Sequence, residues 1–427
     1  MLDLKMLRSE PEEVQRKLAK RDPSLASEIP SFLELDKRHR EAETRLTDLK
    51  AKSNASAKLI GQLKAQKREE AASLQQEQVR ALKQDIASQE LLVSNLEEER
   101  AGWLFKAPNL PDDSVPAGNE TNNEVLRTVG DLPEFEFEPK AHWDIAESLG
   151  LIDFARGVKL SGSGFVLYKG IGAQLERALI QFMIDLHVEM HGYTEWSTPF
   201  FLNRDSVTGS AHIVKFTPEM YHDAEDDLFA LPTAEPALVN IHRGEILGVD
   251  QLPLNYVAYS PCWRREAGAA GKDTRGLLRV HQFDKVEMVK YTTPEDSYIE
   301  LEKMLTNATD VISALGLSYR ILLLAAGDIS FAASKTYDIE IFAPGVGKWL
   351  EVSSVSNCED FQSRRANIRF RREQGAKPEF VHLLNGSGTA LPRLVAALLE
   401  TYQNEDGSVT IPAALRPYLK GLERITN

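Results

Sequence analysis

Cysteine is nearly absent from the 427 residues, with Cys262 and Cys358 the only two. Two thiols cannot build a disulfide framework or a cysteine-rich zinc site, so no zinc is expected and a reducing, cytoplasmic setting is. Long apolar runs are missing as well. No stretch approaches the ~18 apolar residues of a membrane span, and the opening MLDLKMLRSEPEEV has no uninterrupted apolar segment of the signal-peptide kind. No membrane partner is expected. Positive charge is in deficit, 50 Lys and Arg against 64 Asp and Glu, a formal net charge of −14. A protein that coats nucleic acid in general, DNA included, is thereby excluded, because phosphate contacts need local Lys and Arg. Any nucleic acid must be met by a local basic patch.

What is present is ordinary globular composition, 42% hydrophobic and 27% charged, in a chain long enough for two or three domains. Glycine and proline thin out between residues 32 and 103, where spacings of three and four alternate. One series runs Phe32, Leu35, His39, Ala42, Leu46, Leu49, Ser53, Ser56, Ile60, Leu63; a second runs Ala72, Gln75, Val79, Leu82, Ile86, Gln89, Val93, Leu96, Arg100, Trp103. The interruption near Lys64 to Ala71 divides them into two long helices, predicting an antiparallel coiled-coil hairpin over about 31–103 within an N-terminal domain of residues 1–103. Each arm would reach about 48 Å at ~1.5 Å per residue. The outer part, Thr44 to Asp85, holds nine Lys and Arg against five Asp and Glu, whereas the base is acidic. Such a rod can meet a phosphate backbone, or it can be a plain spacer or dimerisation coiled coil.

Prolines 108, 111, 116, 133 and 139 mark residues 104–140 as a linker. Beyond it, from 141 to 427, hairpin-like strand patterns predict an antiparallel sheet covered by helices near Asp296 to Leu315 and Leu391 to Tyr402. A helix from about Gly170 to Met190 and a strand from Tyr193 to Phe200 containing Pro199 read either as a subunit contact or as core.

The densest chemistry lies in Tyr259 to Tyr291, two strand-like arms around a glycine-rich charged loop. Arg264, Arg265, Arg275 and Arg279 gather near Glu266, Glu287 and Phe283. Guanidinium groups that clamp phosphate or carboxylate, beside carboxylates and a stacking ring, suit an ATP and amino-acid site; a solvated, salt-bridged hairpin is the other reading. Three further clusters bear on the choice: Thr233-Ala234-Glu235 after a strand, Glu351-Val352-Ser353-Ser354 ending one, and Asn385-Gly386-Ser387-Gly388 before a helix that carries Pro392 and Arg393.

Together with the hairpin and the rod, these clusters resemble seryl-tRNA synthetase of the bacterial type, a class II aminoacyl-tRNA synthetase, across essentially the whole chain. The segment that often reads EISSCSN in that family is EVSSVSN here, with Val355 in place of Cys, a change of little volume. The resemblance implies an α+β fold: an N-terminal antiparallel helical coiled-coil arm, then a class II synthetase antiparallel β-sheet of six to seven strands flanked by helices, in a homodimer. It implies a serine–tRNA ligase that forms seryl-adenylate and pyrophosphate from L-serine and ATP and loads serine tRNA, and by extension selenocysteine tRNA. A ligase that loads a carrier protein and an inactive, synthetase-like interaction protein are the alternatives.

For the residues, the resemblance implies Arg264 bridging the serine carboxylate and the α-phosphate, and Arg393 on the γ-phosphate end of a bent ATP. Arg279 and Arg265 assist, Phe283 stacks under adenine, and Glu266 accepts from its amino group. Glu351, Val352, Ser353 and Ser354 complete the nucleotide wall, with Glu351 and Ser354 as oxygen ligands for Mg²⁺. Thr233, Ala234, Glu235, Asn385, Glu287 and Ser387 hold serine. The Gly268 to Gly276 loop is expected to touch ATP and then the acceptor end of the tRNA.

Overall fold

The structure, a computed structural model, describes residues 1–266 and 275–427. It divides into two compact units, Leu2–Pro108 and the remainder, Met1 with Asn109–Asn427.

The first unit is helical. Three short helices precede α1 (Ile29–Ala65) and α2 (Glu69–Lys106), which run antiparallel from a tight turn that puts Lys67 at φ 56°. Every residue of the two predicted series is buried or half-buried, while most of their neighbours along these helices are exposed. The packing is that of an alternating seam rather than a broad apolar face, as spacings of three and four dictate. Near the base Phe32 stacks on Trp103 with centroids 4.2 Å apart. Polar residues in the seam are paired. Gln89 Nε2 donates to the Ala42 carbonyl at 3.0 Å, and His39 Nε2 lies 2.9 Å from Glu97. Asp36, 1% exposed, accepts from Arg8 at 2.7 and 2.8 Å, from Arg40 at 3.2 Å and from Arg100 at 3.3 Å. The hydrogen bonds from Arg8, more than the burial that opposes them, hold the Asp36 carboxyl down to about 2.

The second unit is built on one sheet. Its strands are β1 (Glu124–Val129), β2 (Thr194–Glu195), β3 (Leu254–Trp263), β4 (Gln282–Thr292), β5 (Tyr319–Leu323), β6 (Lys335–Ala343), β7 (Lys348–Asn357) and β8 (His382–Ala390), in the order β1-β5-β6-β7-β8-β4-β3-β2. Among the described residues the sheet therefore has eight strands rather than six or seven. Seven are antiparallel neighbours, and the eighth, the two-residue β2, lies parallel to β3. A parallel neighbour needs a long crossover, and residues 196–253 supply it. The other addition, β1, lies inside the stretch expected to be linker; all six of its residues are exposed, so it carries no inward apolar pattern to betray it.

One face of the sheet is covered by α3 (Ile171–Glu189), α6 (Ser297–Ala314) and α7 (Leu391–Thr401), which share a single apolar core with Val286, Met288, Val355 and Leu384. Glu400, fully buried on α7, accepts from the backbone N–H groups of His142, Gly345 and Val346 at 2.9, 2.8 and 3.1 Å and meets His142 Nδ1 at 2.7 Å. His142 Nε2 in turn accepts from the Leu277 N–H at 3.0 Å, which anchors the chain where it returns towards β4.

Asp36 supplies a stability prediction for the first unit. Its folded value lies below the ordinary one, so its contribution is complete above about pH 4 and lost as pH falls towards 2. Asp36→Asn should cost about 2 kcal/mol at pH 7 and remove that acid sensitivity from the helical unit's calorimetric transition; an unchanged transition at both pH values would contradict the role given to Asp36.

Candidate active site

The opposite face of the sheet bears a cavity of about 400 Å³, within the range of small-molecule sites. Strand alternation explains what points into it. Along β4, Val286 and Met288 face the helices, so Phe283, Lys285 and Glu287 face the cavity. On β7 the register slips between the pairs Ile339↔Ser353 and Glu340↔Glu351, leaving Val352 as an extra residue. A bulge of this kind re-aims side chains, and Glu351, Val352, Ser353 and Ser354 all reach the cavity wall. A second slip, at Gly388 on β8, follows the pairing of Ser387 with Glu287.

At one end of the cavity lie two acids. Glu287 is 2% exposed; its Oε2 accepts from Thr233 Oγ1 at 3.1 Å and Ser387 Oγ at 3.5 Å and pairs with Lys285 Nζ at 2.5 Å. Glu235 opens the short helix α5 (Glu235–Val239). Its Oε1 accepts from Gln362 Nε2 at 2.7 Å and Asn385 Nδ2 at 3.2 Å. Burial raises both carboxyls above their ordinary range, opposed at Glu287 chiefly by Lys285 and at Glu235 by the Gln362 hydrogen bond. His212, from the one-turn helix α4 (His212–Lys215), completes this end.

The other end is lined by arginines. Arg264 lies with its guanidinium carbon 5.2 Å from the Phe283 ring and 5.5 Å from the Phe216 ring, and its Nε donates to the Pro232 carbonyl at 3.2 Å. Its backbone is clamped by His281: the Arg264 N–H donates to the His281 carbonyl at 2.9 Å and His281 Nδ1 to the Arg264 carbonyl at 3.0 Å. Arg279 forms an ion pair with Glu266, whose φ of 49° is left-handed. Arg393 Nη1 donates to the Glu351 carbonyl at 2.8 Å and lies 3.5 Å from its carboxylate.

Of the residues singled out from the sequence, Thr233, Glu235, Arg264, Glu266, Arg279, Phe283, Glu287, Glu351, Val352, Ser353, Ser354, Asn385, Ser387 and Arg393 all line this one cavity. Three do not reach its wall, one of them Arg275, whose guanidinium lies 4.5 Å from the Trp143 ring centre. Ala234 is fully buried in a neighbouring apolar cluster, and Arg265 turns away, its N–H on the Glu219 carbonyl at 2.7 Å and its guanidinium 5.7 Å from the Tyr221 ring. Successive residues of an extended chain point to opposite sides, so Arg264 and Arg265 cannot both face inward. Ser353, although in the wall, has its hydroxyl engaged with the Ser387 carbonyl at 2.6 Å. The loop expected to contact ATP and tRNA falls largely on residues 267–274, outside the described residues. Sequence reasoning missed Lys285, which alternation from Glu287 could have found, and His212, Phe216 and Gln362, for which no local signal exists.

The fold and this cavity define a class of protein first. Residues 216–402 match the class II tRNA synthetase core domain that serves G, H, P, S and T, and residues 1–111 match the seryl-tRNA synthetase N-terminal domain. A prolyl-tRNA synthetase from Giardia lamblia, in complex with prolyl-adenylate, shares the fold at TM-score 0.56 and 17% identity over 65% of this chain and 57% of its own. Serine–tRNA ligases from Geobacter sulfurreducens and Dehalococcoides mccartyi are 50% and 49% identical to this chain, over 100% and 98% of both partners in each comparison. Seryl-tRNA synthetase from Pyrococcus horikoshii, complexed with ATP, superposes at TM-score 0.94 with 37% identity, covering 100% of this chain and 99% of that one. The chain belongs to the seryl-tRNA synthetase family.

Lys285 is ion-paired with Glu287, and its loss removes the chief opposition to the burial that raises that carboxyl. Lys285→Met should move the acid limb of kcat/KM for serine to higher pH in pyrophosphate exchange between pH 5.5 and 8.5, roughly one pH unit by the usual size of a close-charge effect. An unmoved limb would show that Glu287 keeps its charge without Lys285.

Proposed function

We propose that this cavity activates L-serine with ATP and that the chain then esterifies serine tRNA. One observation carries the reading. Two buried carboxylates, Glu235 and Glu287, share one neighbouring lysine among the described residues at one end, while Arg264, Arg279 and Arg393 line the other. A ligand that fits has an ammonium and a hydroxyl on one side and several phosphates on the other. Glu287 with Ser387 would read the hydroxyl, and Glu235, Glu287 and Thr233 the ammonium. Alanine, lacking the hydroxyl, would leave those polar groups unpaired, a strong basis for its rejection.

In the first step a serine carboxylate oxygen attacks the α-phosphorus, the bond to the bridging oxygen breaks, and pyrophosphate leaves. The substrate is its own nucleophile, so the chain has to align the reactants and stabilise charge. Arg264 spans the serine carboxylate and the α-phosphate, Arg279 supports the phosphates, and Arg393 holds the far end of a bent triphosphate. Phe283 stacks on the adenine, and Glu266 accepts from its amino group once Arg279 turns to phosphate. In the second step a hydroxyl of the terminal ribose attacks the adenylate carbonyl carbon and AMP leaves.

The oxygen donors along β6 and β7 suit Mg²⁺: Glu351 has a half-exposed carboxylate, Ser354 pairs in register with Asp338, and Asp338 Oδ1 has no hydrogen-bond partner among the described residues. Held by Glu351 and Ser354, the ion would neutralise phosphate charge.

Support for a homodimer comes from the apolar side chains left open around the end of α3 and the following strands: Met190 at 73%, Trp196 at 38% and Phe201 at 52% exposure. The arm, with its positive outer half, is the element suited to a tRNA backbone. A carrier-loading ligase would have no use for it.

Arg264→Ala should lower serine-dependent ATP–pyrophosphate exchange roughly 10³-fold, the upper range for losing one charge-stabilising donor, with the thermal midpoint unchanged. Exchange close to the unsubstituted rate would remove Arg264 from the reacting centre. Replacing Ser31 to Trp103 by a short Gly/Ser bridge should spare exchange and abolish charging of total tRNA; charging that survives the deletion would reduce the arm to a spacer.

A further inference from the structure

His212 is the one titratable group at the amino-acid end that the activation chemistry leaves without a task. Its surroundings fix which ring nitrogen carries hydrogen. Nδ1 lies 3.0 Å from Ser210 Oγ, and that hydroxyl is within reach of two carbonyls, Ser206 at 3.2 Å and Val207 at 3.3 Å. A hydroxyl has one hydrogen, which a carbonyl can take, and the ring's hydrogen bond to the Ser210 backbone, which favours the protonated ring, needs a ring N–H, so Nδ1 is the donor on the Ser210 side. In the neutral ring Nε2 is then a bare acceptor. It faces Glu235 Oε2 across 3.8 Å, beyond hydrogen-bond reach. Glu235 Oε1 is already occupied by Gln362 and Asn385, whereas Oε2 has no protein donor within hydrogen-bond distance among the described residues.

Two acceptors thus face each other at the cavity wall with no hydrogen between them. A donor with several N–H groups in tetrahedral array satisfies both at once. We propose that Nε2 of His212 accepts a hydrogen bond from the substrate ammonium, making His212 a third acceptor at the ammonium position beside Glu235 and Glu287. The inference rests on the reading of this cavity as the serine site.

The ring stays neutral under working conditions. Burial, with Lys285 and Arg264, holds its value down to about 4, against Glu287 and a hydrogen bond that the ring donates to the Ser210 backbone, which raise it. The groups facing the ring are Glu235 from α5, Lys285 and Glu287 from β4, Arg264 from beyond β3, and Ser210 from its own segment. The backbone is committed to this aim: Ala211, immediately before it, is buried and adopts φ 69°, a left-handed conformation unfavourable for a non-glycine residue.

Pyrophosphate exchange with His212→Ala and His212→Gln, alongside the unsubstituted enzyme, tests the assignment. Loss of a hydrogen bond to a charged group corresponds to about a tenfold rise in KM for serine in His212→Ala. KM for ATP should stay within about twofold, and His212→Gln, whose amide oxygen can accept, should recover most of the serine affinity. An unchanged serine KM in His212→Ala overturns the inference while leaving the serine reading intact. So does a parallel rise in both KM values with a lowered thermal midpoint that His212→Gln does not repair, since that is the mark of a structural residue. If the unsubstituted enzyme exchanges with another amino acid and not with serine, the serine reading fails and the inference with it.

Discussion

The constraint on which the catalytic unit depends is the burial of two carboxylates at one end of a small cavity. Glu235 and Glu287 are desolvated enough that both carboxyls are raised, yet each is surrounded by donors that favour the ionised form: Lys285, Thr233 and Ser387 for one, Gln362 and Asn385 for the other. Unpaired, a buried carboxylate would take up a proton or unfold its surroundings. Among the described residues one lysine serves two acids, which leaves this end short of positive charge, and an amino-acid ammonium would make up the difference. Selectivity for an amine is therefore a by-product of the same electrostatic shortage that makes the empty site expensive to maintain.

The sheet makes this affordable by being regular where it meets the helices and irregular where it meets the cavity. Val286, Met288, Val355 and Leu384 are locked into the apolar core, so β4, β7 and β8 cannot shift in register without exposing it. The two slips, at Val352 and Gly388, lie in the strands that form the cavity wall. Rigid strands with local bulges hold polar side chains to a tolerance that loops would not reach.

Much of this was legible in the sequence, for identifiable reasons. The two arm helices announce themselves because each seam residue is set by its neighbours three and four positions away. Arg264, Phe283 and Glu287 could be picked out because strand alternation and clustered charge are both local patterns. Three things were hidden. The edge strand β1 is exposed on both faces, so it has no periodicity to read. Arg264 and Arg265 look equivalent in sequence, and only the extended backbone, with Arg265 held at Glu219, separates them. His212 and Gln362 come to Glu235 from distant segments that carry no motif, and nothing short of the tertiary fold brings them there.

The paired polar groups of the arm have a consequence for how such a rod can vary. Gln89 donates to the Ala42 carbonyl, Asp36 takes Arg100, and His39 takes Glu97, three cross-links that tie specific turns of α1 to specific turns of α2. Sliding one helix along the other would strand these groups without partners, so the rod behaves as a ruler graduated at its base. Its reach can change only beyond Ala42 and before Gln89, and only by equal additions to both helices in whole heptads, which makes the length of the arm a quantised property that point substitution cannot tune.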